Sequence, residues 1–185
     1  MKNIFYNIDI DMENIPDNKS IIYLGMGCFW GAEKLFWKIK GIHVTAVGYS
    51  SGDNLNPTYE EVCSGTTNHA EVVMIAYDLN IINTFDLLVH FWEGHNPTQG
   101  LRQGNDIGSQ YRSMIITTNE NQKKDALKSK YLYEKTLNKY GFDKITTEIV
   151  DYINFFYAED YHQQYLMKNP LGYCGLGGCN VKFEK

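Results

Sequence analysis

The chain has 185 residues, of which 43% are hydrophobic and 21% are charged. It is therefore long enough to bury a core, and its composition is unlike that of disordered or collagen-like proteins. With 17 basic and 22 acidic residues the formal net charge is −5, which argues against a nucleic-acid or anionic-membrane partner. No apolar run reaches the roughly 18 residues of a membrane span. The acidic N-terminal segment does not resemble a secretory leader, so a cytoplasmic location is expected.

Hydrophobic periodicity predicts strands interleaved with helices along the chain. Runs rich in apolar and β-branched residues predict strands at 21–24, 42–49, 70–77, 111–117 and 145–150. Apolar residues spaced three and four apart predict helices at 28–40, 84–95, 119–140 and 159–168. This alternation predicts an α+β fold, a two-layer α/β sandwich in which helices cover a sheet.

One domain is expected over residues 1–185, because no repeat and no Gly/Ser-rich or Pro-rich linker divides the chain. Residues 1–19 form an N-terminal extension that matches no motif. Residues 171–185 form a glycine-rich tail that carries two cysteines. Since glycine permits many backbone conformations, this tail is expected to be flexible.

The segment GMGCFWG at 25–31 follows the first predicted strand of this alternation and opens a predicted helix. A strand, tight turn and helix in this order place Cys28 in the first helical turn. There, free N–H groups and the helix dipole favour an anion, so a lowered thiol pKa and a nucleophilic thiolate are expected. The alternative is a structural cysteine that packs as a small hydrophobe. Flanking glycines favour the first interpretation, because they suit a backbone that turns sharply beside a ligand.

A dinucleotide-binding fingerprint is the other function that glycines after a strand suggest. It fails here, because Trp30 occupies the position of the third glycine and no acidic residue follows at about 20 positions.

The remaining cysteines are too few for a disulfide framework. Cys174 and Cys179 lie in the segment GYCGLGGCN, whose glycines would let either sulfur reach Cys28. A sulfenic acid formed on a cysteine condenses with such a nearby thiol. A zinc half-site and an idle tail remain alternatives, since four intervening residues also fit metal ligation. Cys63, in EEVCSG, is interpreted as structural.

Several segments together resemble one enzyme family. These segments are GCFWG at 27–31, NPTYEEVCSG at 56–65, HAEVV at 69–73, GNDIGSQYRS at 104–113, and AEDYHQQYL through GYCG at 158–175. In this order they resemble the peptide methionine sulfoxide reductases of the A class, peptide-methionine (S)-S-oxide reductases, and the resemblance covers residues 21–179. It implies a ferredoxin-like core, no metal and no cofactor. It also implies reduction of methionine S-sulfoxide, free or in oxidatively damaged proteins, with thioredoxin as the reductant.

The resemblance also assigns the reaction centre. It implies that Cys28 is the nucleophile and that Glu71 is the acid that protonates the departing oxygen. Without it, Glu71 would be interpreted as a solvated residue at the start of a strand. The hydroxyls of Tyr59 and Tyr111 match those that hold the sulfoxide oxygen, and Asp106 matches an aspartate that helps to bind substrate.

Four further residues gain expected roles from the resemblance. Phe29 and Trp30 match the apolar wall that receives the ε-methyl group of the substrate. Cys174 matches the resolving cysteine, and Cys179 would exchange the first disulfide for one that thioredoxin reduces. The two tail cysteines are closer in sequence than is usual in the family. A monomer is expected.

Two other functions can be written for the same residues. A Cys–His acyl-transfer enzyme would suit a cysteine followed by an aromatic residue and tryptophan, but the chain lacks CGSCW and no histidine is assigned as its base. A zinc-stabilised interaction module would use Cys63, Cys174, Cys179 and one histidine. Metal analysis of the purified protein separates this module from the reductase.

Overall fold

The computed structural model describes residues 2–9 and 15–185. Within these residues the strands are β1 (Lys2–Asn3), β2 (Ile8–Asp9), β3 (Ser20–Met26), β4 (Ile42–Ser50), β5 (Ala70–Tyr77), β6 (Arg102–Gln103), β7 (Asp106–Ile107), β8 (Ser113–Thr117), β9 (Glu148–Asp151) and β10 (Phe156–Tyr157). The helices are α1 (Phe29–Phe36), α2 (Tyr59–Cys63), α3 (Thr84–Gly94), α4 (Glu120–Lys139) and α5 (Tyr165–Lys168), with a 3-10 turn at Ser109–Tyr111. The result is a mixed α/β fold.

A six-stranded sheet forms the centre of the fold, in the order β10-β4-β5-β3-β8-β9. Its pairs are antiparallel except for β8 and β9, which run parallel. Strand β5 is buried along its whole length. Its side chains alternate between two cores, with Val73 and Ile75 in one and Val72 and Met74 in the other. Both faces of the central strands are therefore covered, which fixes their register.

The larger core lies between the sheet and the helices. Helix α1 contributes Phe36, α3 contributes Phe91 and Trp92, and α4 contributes Tyr133, all of them fully buried. Burying each large apolar side chain contributes about 1.5–3 kcal/mol relative to its exposure. Helix α1 is thereby held rigidly against the sheet, and the sequence predicted this layer of helices.

Several predicted boundaries are wrong. The helix predicted at 28–40 ends at Phe36, and the strand predicted at 111–117 begins only at Ser113 because a 3-10 turn precedes it. Of the helix predicted at 159–168, only Tyr165–Lys168 forms. The backbone of Gln164 is left-handed, with φ of 48°, and its N–H donates to the buried Glu33 carboxylate at 2.9 Å. This long-range bond replaces the helical one.

Both ends of the chain pack onto this core. In the β1–β2 hairpin, the buried Asn3 donates through Nδ2 to the Thr45 carbonyl at 2.7 Å. At the other end, the Tyr133 hydroxyl donates to the Val181 carbonyl at 3.0 Å, and the Phe183 ring stacks on Tyr133. The tail that was expected to be flexible is therefore anchored at its C-terminal end. None of the described helices has the length and apolar character needed to cross a bilayer.

Candidate active site

The turn between β3 and α1 places Cys28 at the N-terminus of the helix. Gly27 adopts a φ of 89°, and a Cβ atom there would lie 2.6 Å from the Gln103 Cβ, so only glycine fits. Cys28 follows as the N-cap of α1. The backbone N–H groups of Trp30 and Gly31 lie near its sulfur and act to lower the pKa of the thiol. The predicted strand, turn and helix are confirmed here.

The thiol pKa of Cys28 nevertheless lies above its ordinary value. Burial raises it most, and the negative charges of Glu71 and Asp106 raise it further, which outweighs the helix N–H groups. The expectation of a lowered pKa is therefore wrong. Because the repulsion from Glu71 requires an ionised carboxylate, protonation of Glu71 relieves part of it.

Glu71 lies on β5, opposite Tyr49 of β4, and its side chain is 1% exposed. Its Oε2 accepts a hydrogen bond from the Phe29 N–H at 3.0 Å, which satisfies a free donor of the first turn of α1. Burial, with a smaller contribution from Asp106, raises the pKa of this carboxyl to about 8. Glu71 therefore carries a proton at neutral pH, next to Cys28.

Two tyrosine hydroxyls converge on this pair from different elements. Tyr59 is the first residue of α2, whose N-terminus is fixed by a capping box from Thr58 to Glu61. Tyr111 ends the 3-10 turn. Burial raises the pKa of both hydroxyls, and the charge of Glu71 raises both further. They stay protonated at neutral pH and can donate hydrogen bonds to an oxygen.

Asp106 is already engaged by the tail. The Tyr173 hydroxyl lies beside its carboxylate and acts to lower the pKa of Asp106, but burial holds that pKa above its ordinary value. A Cβ atom on Gly175 would lie 2.3 Å from the Tyr173 hydroxyl and 3.1 Å from Asp106 Oδ2. Glycine therefore allows the tail to lie across this carboxylate. A ligand that uses Asp106 must share it with Tyr173 or displace it.

The two predicted wall residues differ in exposure. Phe29 is 1% exposed, with its ring against Tyr49 and His162. Trp30 is partly exposed, stacks on Tyr165 with ring centroids 3.9 Å apart, and donates through Nε1 to His162 Nδ1 at 3.0 Å. Trp30 and Tyr165 thus form an apolar surface two residues beyond the nucleophile, with Phe29 beneath it.

The tail cysteines lie in different surroundings. A Cβ atom on Gly31 would lie 3.1 Å from the Cys174 sulfur, so Cys174 rests on the first turn of α1. Cys179 packs at the edge of the larger core near Tyr133, and burial raises its pKa to about 11. All four cysteines are free. Of the two tail cysteines, Cys174 is the one that packs against Gly31 of the helix that Cys28 begins.

Sequence reasoning missed several contacts around these residues. Cys63 is exposed and lies near the Tyr59 hydroxyl, so it is not a core cysteine. Glu159 and His162 lie behind the site, and Tyr173 reaches Asp106. All three occur in the blocks AEDYHQQYL and GYCG, where the family pattern was visible but gave them no role. Across residues 2–9 and 15–185, no three His, Cys, Asp or Glu side chains gather in a group that could hold a metal.

A cap-positioned cysteine, a protonated buried carboxyl and a second cysteine beside the same helix define a thiol-based oxidoreductase site. The family model described as Peptide methionine sulfoxide reductase matches residues 20–182. Peptide methionine sulfoxide reductase MsrA of Photobacterium profundum is 60% identical over 169 residues, which are 91% of this chain and 80% of that protein. The chain belongs to the peptide methionine sulfoxide reductase family.

Two solved structures extend the comparison. Methionine sulfoxide reductase A of Corynebacterium diphtheriae superimposes with a TM-score of 0.81 at 46% identity, covering 86% of this chain and 79% of that one. Mxr1 from Saccharomyces cerevisiae in complex with Trx2 superimposes with a TM-score of 0.56 at 26% identity, covering 85% of this chain and 89% of that one.

Proposed function

We propose that this protein reduces methionine S-sulfoxide, free or in oxidised proteins, to methionine, and that thioredoxin recycles it. The observation that carries the proposal is the pairing of Cys28 with a buried Glu71 whose pKa of about 8 keeps it protonated at neutral pH. A sulfoxide oxygen departs only if it receives a proton, and a buried carboxylic acid supplies one. Membership of the family supports the same reaction.

In the first step Cys28 attacks the substrate sulfur. Glu71 protonates the sulfoxide oxygen and regains a proton from the thiol, while the oxygen passes to Cys28. The products are methionine and Cys28 sulfenic acid, so two electrons move from the thiol to the sulfoxide and no proton is gained or lost. Tyr59 and Tyr111 donate hydrogen bonds to the oxygen as charge develops there, and Asp106 binds the substrate beside them. Trp30, with Phe29 behind it, receives the methyl group.

In the second step the Cys174 thiol attacks the sulfenic sulfur, water leaves and a Cys28–Cys174 disulfide forms. The position of Cys174 against Gly31 supports this pairing. Cys179 then exchanges with that disulfide, after its contacts near Tyr133 are released. Two thiols of thioredoxin take up the oxidation. The complex of Mxr1 with Trx2, a thioredoxin, supports this partner.

The finer architecture belongs to the same proposal. A ferredoxin-like core is supported by the succession β3-α1-β4-β5-α3-β8, whose four strands pair antiparallel in the order β4-β5-β3-β8. We further propose that residues 1–185 act as one monomeric domain in the cytoplasm. The packing of both chain ends onto the core supports the single domain.

The test is turnover on separated sulfoxide epimers of methionine and of a short peptide, with thioredoxin, thioredoxin reductase and NADPH. We expect consumption of NADPH with the S epimer and none with the R epimer. Turnover of neither epimer would contradict the proposal. Stoichiometric zinc in the purified protein would also contradict it and would favour the zinc-stabilised module.

A further inference from the structure

Glu159 lies behind the substrate site, outside the set of residues that would touch substrate. Its Oε1 accepts the Tyr59 N–H at 2.9 Å, and its Oε2 accepts the Tyr49 hydroxyl at 2.9 Å. The Tyr59 N–H is a free donor at the N-terminus of α2, and a carboxylate is a strong partner for such a donor. Tyr49 in turn lies against the Phe29 ring. One carboxylate therefore joins helix α2 to strand β4.

The same carboxylate faces His162. Oε2 of Glu159 lies 3.8 Å from Nε2 of His162, a buried atom with no hydrogen-bond partner within the described residues. His162 Nδ1 accepts the Trp30 indole N–H, and burial lowers the pKa of the ring to about 4. The neutral ring therefore carries its proton on Nε2, and this N–H faces the carboxylate.

The imidazole itself packs between the two sides of the site. Its ring centroid lies 4.5 Å from that of Tyr59 and 5.1 Å from that of Phe29. Movement of His162 would therefore displace the aromatic ring on either side. Glu159 therefore contacts both sides of the site. It binds the Tyr59 side through the backbone of α2, and it faces the Phe29 side through the His162 imidazole.

Charge is retained on Glu159 although it is partly buried. Burial alone would raise the pKa of this carboxyl, but hydrogen bonds from the Tyr59 N–H and the Tyr49 hydroxyl, together with the neighbouring His162, hold it below its ordinary value. An amide of the same shape would keep one acceptor oxygen. Its NH₂ group would then face the His162 N–H, donor against donor.

We propose that Glu159 is a positioning residue that sets Tyr59, the hydroxyl proposed to hold the sulfoxide oxygen, in register with Trp30, the surface proposed to receive the methyl group. This inference rests on the proposed function. Misplacement of a reacting group by a fraction of an ångström slows catalysis without removing any group that touches substrate.

A double-mutant cycle tests the inference in the full-length chain. Glu159→Gln should lower the single-turnover rate constant for methionine S-sulfoxide about tenfold, because a small displacement of Tyr59 or Trp30 slows the reaction without removing a group that touches substrate. In a Tyr59→Phe background the same change should cost about threefold or less, since part of its effect passes through the lost hydroxyl. Asp160→Asn, at the adjacent exposed residue, is the matched control and should match the wild type.

A spectroscopic readout separates positioning from loss of stability. The Trp30 indole N–H resonance, assigned with Trp30→Phe, should shift in Glu159→Gln and stay in place in Asp160→Asn. An unshifted resonance, an unchanged rate, or the full tenfold loss persisting in the Tyr59→Phe background would overturn the inference. If the wild type itself does not reduce the sulfoxide, the proposed function is contradicted instead.

A second variant covers the case in which Glu159→Gln unfolds at the assay temperature. Tyr49→Phe removes only the hydroxyl that donates to Oε2, and it should slow the single turnover about threefold, with less effect in the Tyr59→Phe background. A Tyr49→Phe rate equal to that of the wild type would then overturn the inference.

Discussion

The nucleophile and its acid lie on regular elements of the core, whereas the tail that carries the other two site cysteines is irregular. Cys28 and Glu71 sit on α1 and β5, elements packed into the core, and a backbone hydrogen bond fixes the carboxyl. The tail, residues 171–185, contains no helix or strand, and its cysteines are unpaired. The difference suits two tasks, because oxygen transfer requires fixed geometry and disulfide formation requires a sulfur that can travel.

Replacement of Cys174 gives the largest predicted effect of any change in the tail, because it removes the sulfur that must move to form the disulfide. Cys174→Ser should complete one turnover per chain at close to the wild-type rate and then stop, because nothing resolves the sulfenic acid efficiently. Rapid-quench measurement of methionine formed per chain, followed by thioredoxin-coupled assay, checks this. Sustained wild-type turnover would show that the tail does not act as described.

Loss of the fixed acid gives the next largest effect. Glu71→Gln keeps the size of the side chain and an acceptor for the Phe29 N–H, but it cannot donate its proton. The single-turnover rate should fall about 10²–10⁴-fold at neutral pH, the usual contribution of a general acid. Glu60→Gln, at an exposed carboxylate of α2, serves as the control. An unchanged rate would remove Glu71 from the reaction.

The same substitution should change stability with pH. The pKa of Glu71 is about 8 in the folded chain against about 4.5 when unfolded, so between these values the folded state holds a proton that the unfolded state releases. The contribution of Glu71 to the stability of the wild type should therefore fall as pH rises from about 4.5 to 8, on the order of a few kcal/mol, and change no further above that. Denaturant unfolding of wild type and Glu71→Gln at pH 5 and 8 compares them. Between pH 5 and pH 8 we expect the free energy of unfolding of the variant to rise relative to that of the wild type. The same change with pH in both proteins would contradict the raised pKa.

A smaller effect is expected where the two regions touch. A Cβ atom on Gly31 would lie 2.9 Å from the Leu176 Cβ and 3.1 Å from the Cys174 sulfur, so Gly31→Ala should push the tail away. Disulfide formation should slow severalfold while the first turnover is nearly unchanged. Gly177→Ala, with nothing within 4 Å of the added atom, is the matched control. Equal effects of both substitutions would mean that the docked tail is irrelevant to resolution.

The sequence predicted much of this arrangement and missed what depends on distant partners. Local patterns predict the strands at 42–49 and 70–77 and the position of Cys28 at the start of a helix. The observed bounds lie within one residue of these predictions. The raised pKa of Cys28 does not follow, because its causes are burial and a carboxyl that is 43 residues away in the chain, at Glu71. Local spacing carries no information about either.

Contacts from the C-terminal part of the chain were missed for the same reason. The helix predicted at 159–168 fails because Gln164 bonds Glu33, 131 residues earlier. Glu159 reaches Tyr59 across 100 residues, and its block was recognised only as a family pattern. A motif identifies residues that belong together, but the contacts that explain why come from the folded chain.

The most direct test of the account is a single turnover of reduced chain with methionine S-sulfoxide in the absence of thioredoxin. With one equivalent of sulfoxide per chain, mass spectrometry should find one methionine formed per chain and a new disulfide that joins Cys174 to Cys28 or, after exchange, to Cys179. Cys28→Ser should form none. Methionine formation by Cys28→Ser at the wild-type rate would contradict the account.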